Sequence, residues 1–213
     1  MLLLIAGPDS LELWKNPEDY NLTLLSADDQ YDANVIARKV LESQAVLVAS
    51  PEYLRRRGVP AKPQDLRAHD CLRLKPLGTR VKTWKLWCAF EPERPVELEV
   101  KAVVWANHTS TLLEAALDGV GMTSAPIDLV APYLMRGELV RVLAPWIAGH
   151  LTIYAAVPSR KYIPRRTQVF VDFLVEKLRA RVAAVLGECK DCNDGNLVFI
   201  EATGALEWPD MSR

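Results

Sequence analysis

The sequence predicts an α/β fold with mostly parallel strand pairing, and three observations lead there. Apolar strand-like runs alternate with amphipathic helical segments, the order that layers helices on a sheet. The run Ala45-Val46-Leu47-Val48-Ala49 is apolar at every position, as a strand covered on both faces requires. Helix-opening residues follow strand-like runs directly, at Ser50-Pro51-Glu52 and again around Thr109 to Thr111.

From the N-terminus, Leu2 to Ala6 reads as a buried strand, Ser10 to about Lys15 as a short helix, and Asn21 to Leu25 as a second strand. Pro8 and Asp9 suit that helix's start and Asn16-Pro17 its stop. Val35 to Leu41 and Ala45 to Ala49 read as two extended segments. Ser50 then caps a helix with Pro51 at its first position and Glu52 in its first turn, and Gly58 ends it. Proline-punctuated chain from Val59 to Pro63 leads to Gln64-Asp65-Leu66 and to the apolar Cys71-Leu72-Arg73-Leu74.

Alternation around Trp84 and Trp87, and again over Val96 to Val100, fits half-exposed strands, and Val103-Val104-Trp105 is extended. Asn107 to Thr111 introduces the clearest helix. Thr111-Leu112-Leu113-Glu114 has capping-box spacing, Leu112, Leu113, Ala116 and Leu117 share a face, and Gly119 and Gly121 end the helix. A strand near Met122 to Ala125, a helix from about Ile127 to Arg136 stopping at Gly137, and strands at Leu139 to Leu143 and Leu151 to Val157 follow. Pro164 opens a long amphipathic helix whose Val169, Phe170, Phe173, Leu174 and Leu178 recur at helical spacing.

Composition narrows the function. A length of 213 residues, half of them apolar, supports a sizeable core without a disulfide or metal staple. The formal net charge of -1 argues against nucleic acid as the main partner of these residues, because such chains present a basic face. Arg55-Arg56-Arg57 and the basic residues from Arg160 to Arg166 read as solvated surface. The apolar N-terminal run lacks a basic flank and is too short for an export signal or membrane span, so the expected address is cytoplasmic. Cys71 and Cys88 read as reduced core thiols. Cys189-Lys190-Asp191-Cys192 has no second pair or nearby histidine, so no metal or redox role is assigned to it. No G-x-S-x-G elbow or glycine-rich phosphate loop occurs. Glu97 and Glu99 read as solvated, and Trp84, Trp87, Trp105 and Trp146 as core fillers. The reading is a non-enzyme with no cofactor and no metal.

Three blocks of residues resemble the regulatory domain of LysR-type transcription regulators. The first joins Tyr20 to Leu24, Val35 to Arg38 and Leu47 to Leu54; the second runs from Pro63-Gln64-Asp65-Leu66 to His69-Asp70-Cys71-Leu72. The third is Ala115 to Gly121, followed by Pro126, Leu129-Val130, Gly137 to Val140, Pro145-Trp146, Tyr154 to Arg160 and Phe170 to Leu174. The resemblance implies a type II periplasmic-binding-protein-like fold, with two lobes joined by two crossing strands and an effector in the cleft between them. Residues 1–46 would form a partial first lobe. Residues 47–152 would form the second, with the crossings Leu47 to Ser50 and Leu151 to Val157 at its ends. Residues 153–186 would return to the first lobe with the C-terminal helix, and 187–213 would be a tail without an assigned role. The family's helix-turn-helix, linker helix and first regulatory strand have no counterpart in the sequence, so DNA contact would rest with an absent N-terminal domain. A speculative expectation places Leu197 to Ile200 in the gap beside Leu2 to Ala6.

The resemblance also implies a small-molecule effector and a homodimer, paired through Leu2 to Ala6 and Ser10 to Lys15. Asn107, His108, Thr109 and Ser110 are the leading effector-binding candidates, because a helix N-terminus offers free N–H groups and partial positive charge to an anion. The same residues could equally serve only as the helix cap. Ser26, placed after the strand Asn21 to Leu25, and Ser50 rank second, with capping the first reading for Ser50. Pro126 is expected to shape the cleft wall without polar contact. Two other readings stay open: a free-standing solute-binding protein, and a truncated remnant acting only by dimerisation.

Overall fold

Fourteen residues from Ile36 to Ala49 form one uninterrupted strand, β3, where the sequence suggested two segments. Its middle, Leu41 to Gln44, mixes polar and apolar residues yet stays in the sheet, because cross-strand bonding outweighs local pattern. The computed structural model describes residues 3–6, 22–27, 36–74, 83–88, 90–157, 165–189 and 192. The described chain divides into two compact units. The first draws on Met1–Glu42 and Leu151–Ala183, the second on Ser43–His150 and Ala184–Val198. The expected helix Ser10 to Lys15 and the run Leu197 to Ile200 lie outside the described residues.

In the first unit, β1 (Leu3–Ala6) runs parallel to β2 (Leu22–Ala27), with Leu3 opposite Leu22. β2 in turn pairs antiparallel with β11 (Gly149–Val157), setting Leu25 opposite Tyr154. The long helix α4 (Arg165–Glu188) lays Val171 and Val175 on Val40 and Ala155, with Phe170 and Leu178 beside them. Positions 171, 175 and 178 recur at three and four residues, so one stripe of the helix meets the sheet. After α4, Cys189 and Cys192 are buried and joined by a disulfide, so the pair left without a role by the sequence is a cross-link.

The second unit is built around the latter half of β3, which pairs antiparallel with β8 (Met122–Pro126) and β9 (Val140–Val142). β8 lies parallel to β4 (Asp70–Leu74), and β4 parallel to β7 (Lys101–Ala106), the last strand of the order. A three-stranded antiparallel sheet joins β5 (Thr83–Cys88) to β6 (Glu91–Glu99) and β10 (Trp146–Ile147). Between them lies a core of Leu47, Ala49, Tyr53, Leu66, Cys71, Trp84, Leu86, Leu98 and Met122.

Mostly parallel pairing is therefore corrected. Only β1–β2, β4–β7 and β4–β8 are parallel among the described registers, whereas β2–β11, β3–β8, β3–β9, β5–β6 and β5–β10 are antiparallel. The long strand β3 runs against β8 and β9 and β11 runs against β2, and the β5–β6 pair adds an antiparallel sheet that strand–helix alternation does not reveal.

The helices stop where the glycines foresee. α1 (Pro51–Arg57) ends at Gly58, whose φ of 85° donates its N–H back to the Leu54 carbonyl. α3 (Ile127–Met135) ends before Gly137 at φ 70°. Gly121 answers a different need. A Cβ there would sit 2.4 Å from the Asp70 carbonyl oxygen, so only glycine lets the chain entering β8 pass β4 this closely.

Candidate functional site

β7 ends at Ala106 and helix α2 (Thr109–Leu117) begins two residues later, so Asn107 and His108 form the whole strand-to-helix turn. His108 is the N-cap, extended at φ -127° and ψ 132°, and its side chain makes no capping bond. The capping box expected at Thr111 and Glu114 does not form, because the helix starts earlier and Thr111 lies inside it. No acidic residue occupies the first turn. Asn107, His108 and Ser110 are exposed and Thr109 is half-buried. Leu112, Leu113 and Ala116 are buried and hold the helix down, and α2 packs against β4, β7 and β8. The result is a helix start anchored by its apolar face, with no capping bond from the His108 side chain to its first N–H groups.

The start of α1 is the opposite case. Ser50 is buried, and its Oγ accepts from the Tyr53 N–H at 3.3 Å. Pro51 stands at the first helical position and Glu52 brings a negative charge into the first turn. Ser50 also lines a solvent-open recess of about 490 Å³ with Pro51, Glu52, Arg55, Leu117 and Glu138. That recess carries two carboxylates for one guanidinium, and none of Asn107 to Ser110 lines it.

The other candidates are placed differently from their sequence reading. Ser26 lies within β2, its backbone opposite Ile153 of β11, and not after the strand. The strand outruns the expected Leu25 by two residues because the ladder with β11 continues to Ala27. Pro126 closes β8 opposite Ala45 and serves as the N-cap of α3. Ser26 belongs to the first unit; Ser50, Asn107 to Ser110 and Pro126 belong to the second.

Two buried polar groups in the second unit carried no functional reading in the sequence. Tyr53 is fully buried, its hydroxyl 3.1 Å from Nδ1 of His69 and accepting the Asp70 N–H at 2.8 Å. Burial, reinforced by Arg57, holds the His69 imidazole below its usual range. Arg73 is 9% exposed, its guanidinium 5.4 Å from the ring centroids of both Trp84 and Trp105. Its Nη1 is buried without a hydrogen-bond partner, and desolvation lowers its pKa. Beside it, burial pushes the Cys71 thiol up to about 12, which keeps it unreactive. Trp105 is 37% exposed, which corrects its reading as a core filler; Trp84, at 6%, does fill the core. Cys88 is likewise half-exposed and not a core thiol. Among the described residues no group of three or more His, Cys, Asp or Glu is placed to hold a metal ion. No described helix is long and apolar enough to cross a membrane.

A family model described as the LysR substrate binding domain matches residues 18–179. The chain belongs to this family. Its relatives include the HTH-type transcriptional regulator PtxR of Pseudomonas aeruginosa, 36% identical over 149 residues, covering 69% of this chain and 46% of PtxR. The HTH-type transcriptional activator TtdR of Escherichia coli is 30% identical over 155 residues, covering 73% of this chain and 49% of TtdR. The LysR-family chain thus spans about half the length of the curated relatives it matches. The full-length structure of the Vibrio cholerae virulence activator AphB superposes with a TM-score of 0.64 at 25% identity, covering 76% of this chain and 53% of AphB. The regulatory domain of CrgA from Neisseria meningitidis shares the fold, with a TM-score of 0.62 at 23% identity over 84% of this chain and 99% of that one. The fold is therefore the α/β, type II periplasmic-binding-protein-like fold of LysR-type regulatory domains.

Proposed function

We propose that this chain is an effector-sensing regulatory domain that binds a small anionic molecule at the first turn of α2. The observation that carries the site is the uncapped start of that helix. His108 makes no capping bond, no acidic side chain fills the first turn, and Asn107 and Ser110 stand exposed beside it. Free N–H groups there, with the partial positive charge of the helix, favour a carboxylate or phosphate. Asn107, His108, Thr109 and Ser110 are the direct contacts. Ser50 serves its own helix as a cap, and Pro126 shapes the wall of the site without a polar contact. The signal goes to a helix-turn-helix outside the matched residues, in the cytoplasm. The regulator works as a homodimer through β1 and the segment Ser10 to Lys15.

A thermal melt with a panel of small aliphatic carboxylates tests this reading. Ligand at a hundred times its dissociation constant adds about 2.7 kcal/mol. At roughly 2–4 °C per kcal/mol that moves a domain of this size by several degrees. One compound should shift the melt, and His108→Asp should abolish that shift. A panel that moves nothing, or a shift that His108→Asp leaves intact, overturns the assignment.

A further inference from the structure

We propose that Arg73 anchors a second anion site in the second unit, one that takes a carboxylate with a planar apolar body. The site goes beyond the α2 reading and does not depend on it. Arg73 shares one face of β4 with Cys71, which belongs to the core beneath the three-stranded sheet, and no residue of α2 joins that core. In register, Arg73 sits opposite Trp105 of β7, the last strand of the order, and Trp84 of β5 closes the other side.

A guanidinium carries five N–H donors, and a buried one is normally matched by a carboxylate. Arg73 makes no hydrogen bond or ion pair to any described residue, and its Nη1 is buried unpartnered between the two indoles. Contact with ring faces offsets part of the lost hydration but fills no donor. A carboxylate supplies the missing partner in a bidentate geometry that a guanidinium presents and an ammonium does not. The apolar surface to receive the rest of the ligand is adjacent. Trp105 is 37% exposed and Val103, two residues before it on β7, is 42% exposed. A planar body laid on Trp105 would cover that ring while its carboxylate turns in to Arg73.

Benzoate is the simplest probe of that shape, and the indoles make tryptophan fluorescence a direct readout. The wild-type chain should give a saturable change with benzoate, and benzamide, isosteric but uncharged, should bind at least tenfold more weakly. Arg73→Met should weaken benzoate at least tenfold and still melt cooperatively, since a buried apolar chain replaces a buried charge. Trp105→Ala, at an exposed strand edge, should weaken it severalfold and covers the case in which Arg73→Met fails to fold. Inorganic phosphate, which lacks a planar apolar body, should not displace benzoate, which separates this site from the one at α2. No saturable binding by the wild type, equal binding of benzamide, or full retention in Arg73→Met or Trp105→Ala would each overturn the proposal and leave Arg73 a structural strut.

Discussion

Two helices of the second unit begin in contrasting ways. α1 opens on a buried serine whose oxygen fills a backbone donor, a proline that lacks an N–H, and a glutamate that meets the dipole. α2 opens on an exposed histidine with no capping bond and no acid in its first turn. Both helices are anchored by buried residues, Tyr53 and Leu54 in one and Leu112, Leu113 and Ala116 in the other. The difference lies in how each terminus is satisfied. A helix held by its apolar face can leave its N-terminus without a cap, and the anion site proposed at α2 rests on that freedom.

Four substitutions or conditions break or sharpen this contrast, from the largest effect down. Gly121→Ala places a methyl 2.4 Å from the Asp70 carbonyl oxygen, so β8 must move away from the strand that supports α2. Overpacking of this kind costs about 3 kcal/mol, read by urea denaturation. A loss under 1 kcal/mol would mean that the close approach is not rigid. Ser50→Ala should cost about 1 kcal/mol, as loss of a cap does, while Ser110→Ala should stay within about 0.5 kcal/mol. Equal costs would erase the distinction between the two helix starts. His108→Asp supplies the absent cap and a negative charge, and should raise stability by about 0.5–1 kcal/mol. A drop instead would show that the turn cannot accept a cap.

The smallest effect is one of pH. Burial holds His69 below its usual 6.5, so on acidification the unfolded chain takes its proton first. Stability should fall as pH drops from about 6.5 towards the folded-state pKa and level off below it, and His69→Gln should remove that slope. An unchanged slope in the variant would assign it elsewhere.

Local signals made much of this fold legible. Ser50-Pro51-Glu52 and Gly58 bounded α1, Gly137 closed α3, and the all-apolar run Ala45 to Ala49 marked a strand buried on both faces. Strand direction was not legible, because parallel and antiparallel neighbours use the same apolar pattern. The unity of β3 was hidden for a related reason. Glu42, Ser43 and Gln44 look like a break, yet the ladder holds them extended. At the proposed site, the turn Asn107-His108 was expected before a helix, but a misplaced capping box put the helix start three residues late. Ser26 was set just past its strand because strand ends depend on a partner strand far away in sequence. Arg73 could not be found at all. Nothing in the apolar segment Cys71-Leu72-Arg73-Leu74 set it apart, and only the fold brings Trp84 and Trp105 to its sides.

The most direct test follows backbone amides by NMR while sulfate is titrated into the chain. Amides of Thr109, Ser110 and Thr111 should shift saturably, those of Glu52 and Tyr53 at the capped start of α1 should stay in place, and His108→Asp should abolish the response. Amides at α2 that ignore sulfate, or that move no more than those of α1, would contradict the claim that this helix start is the anion site.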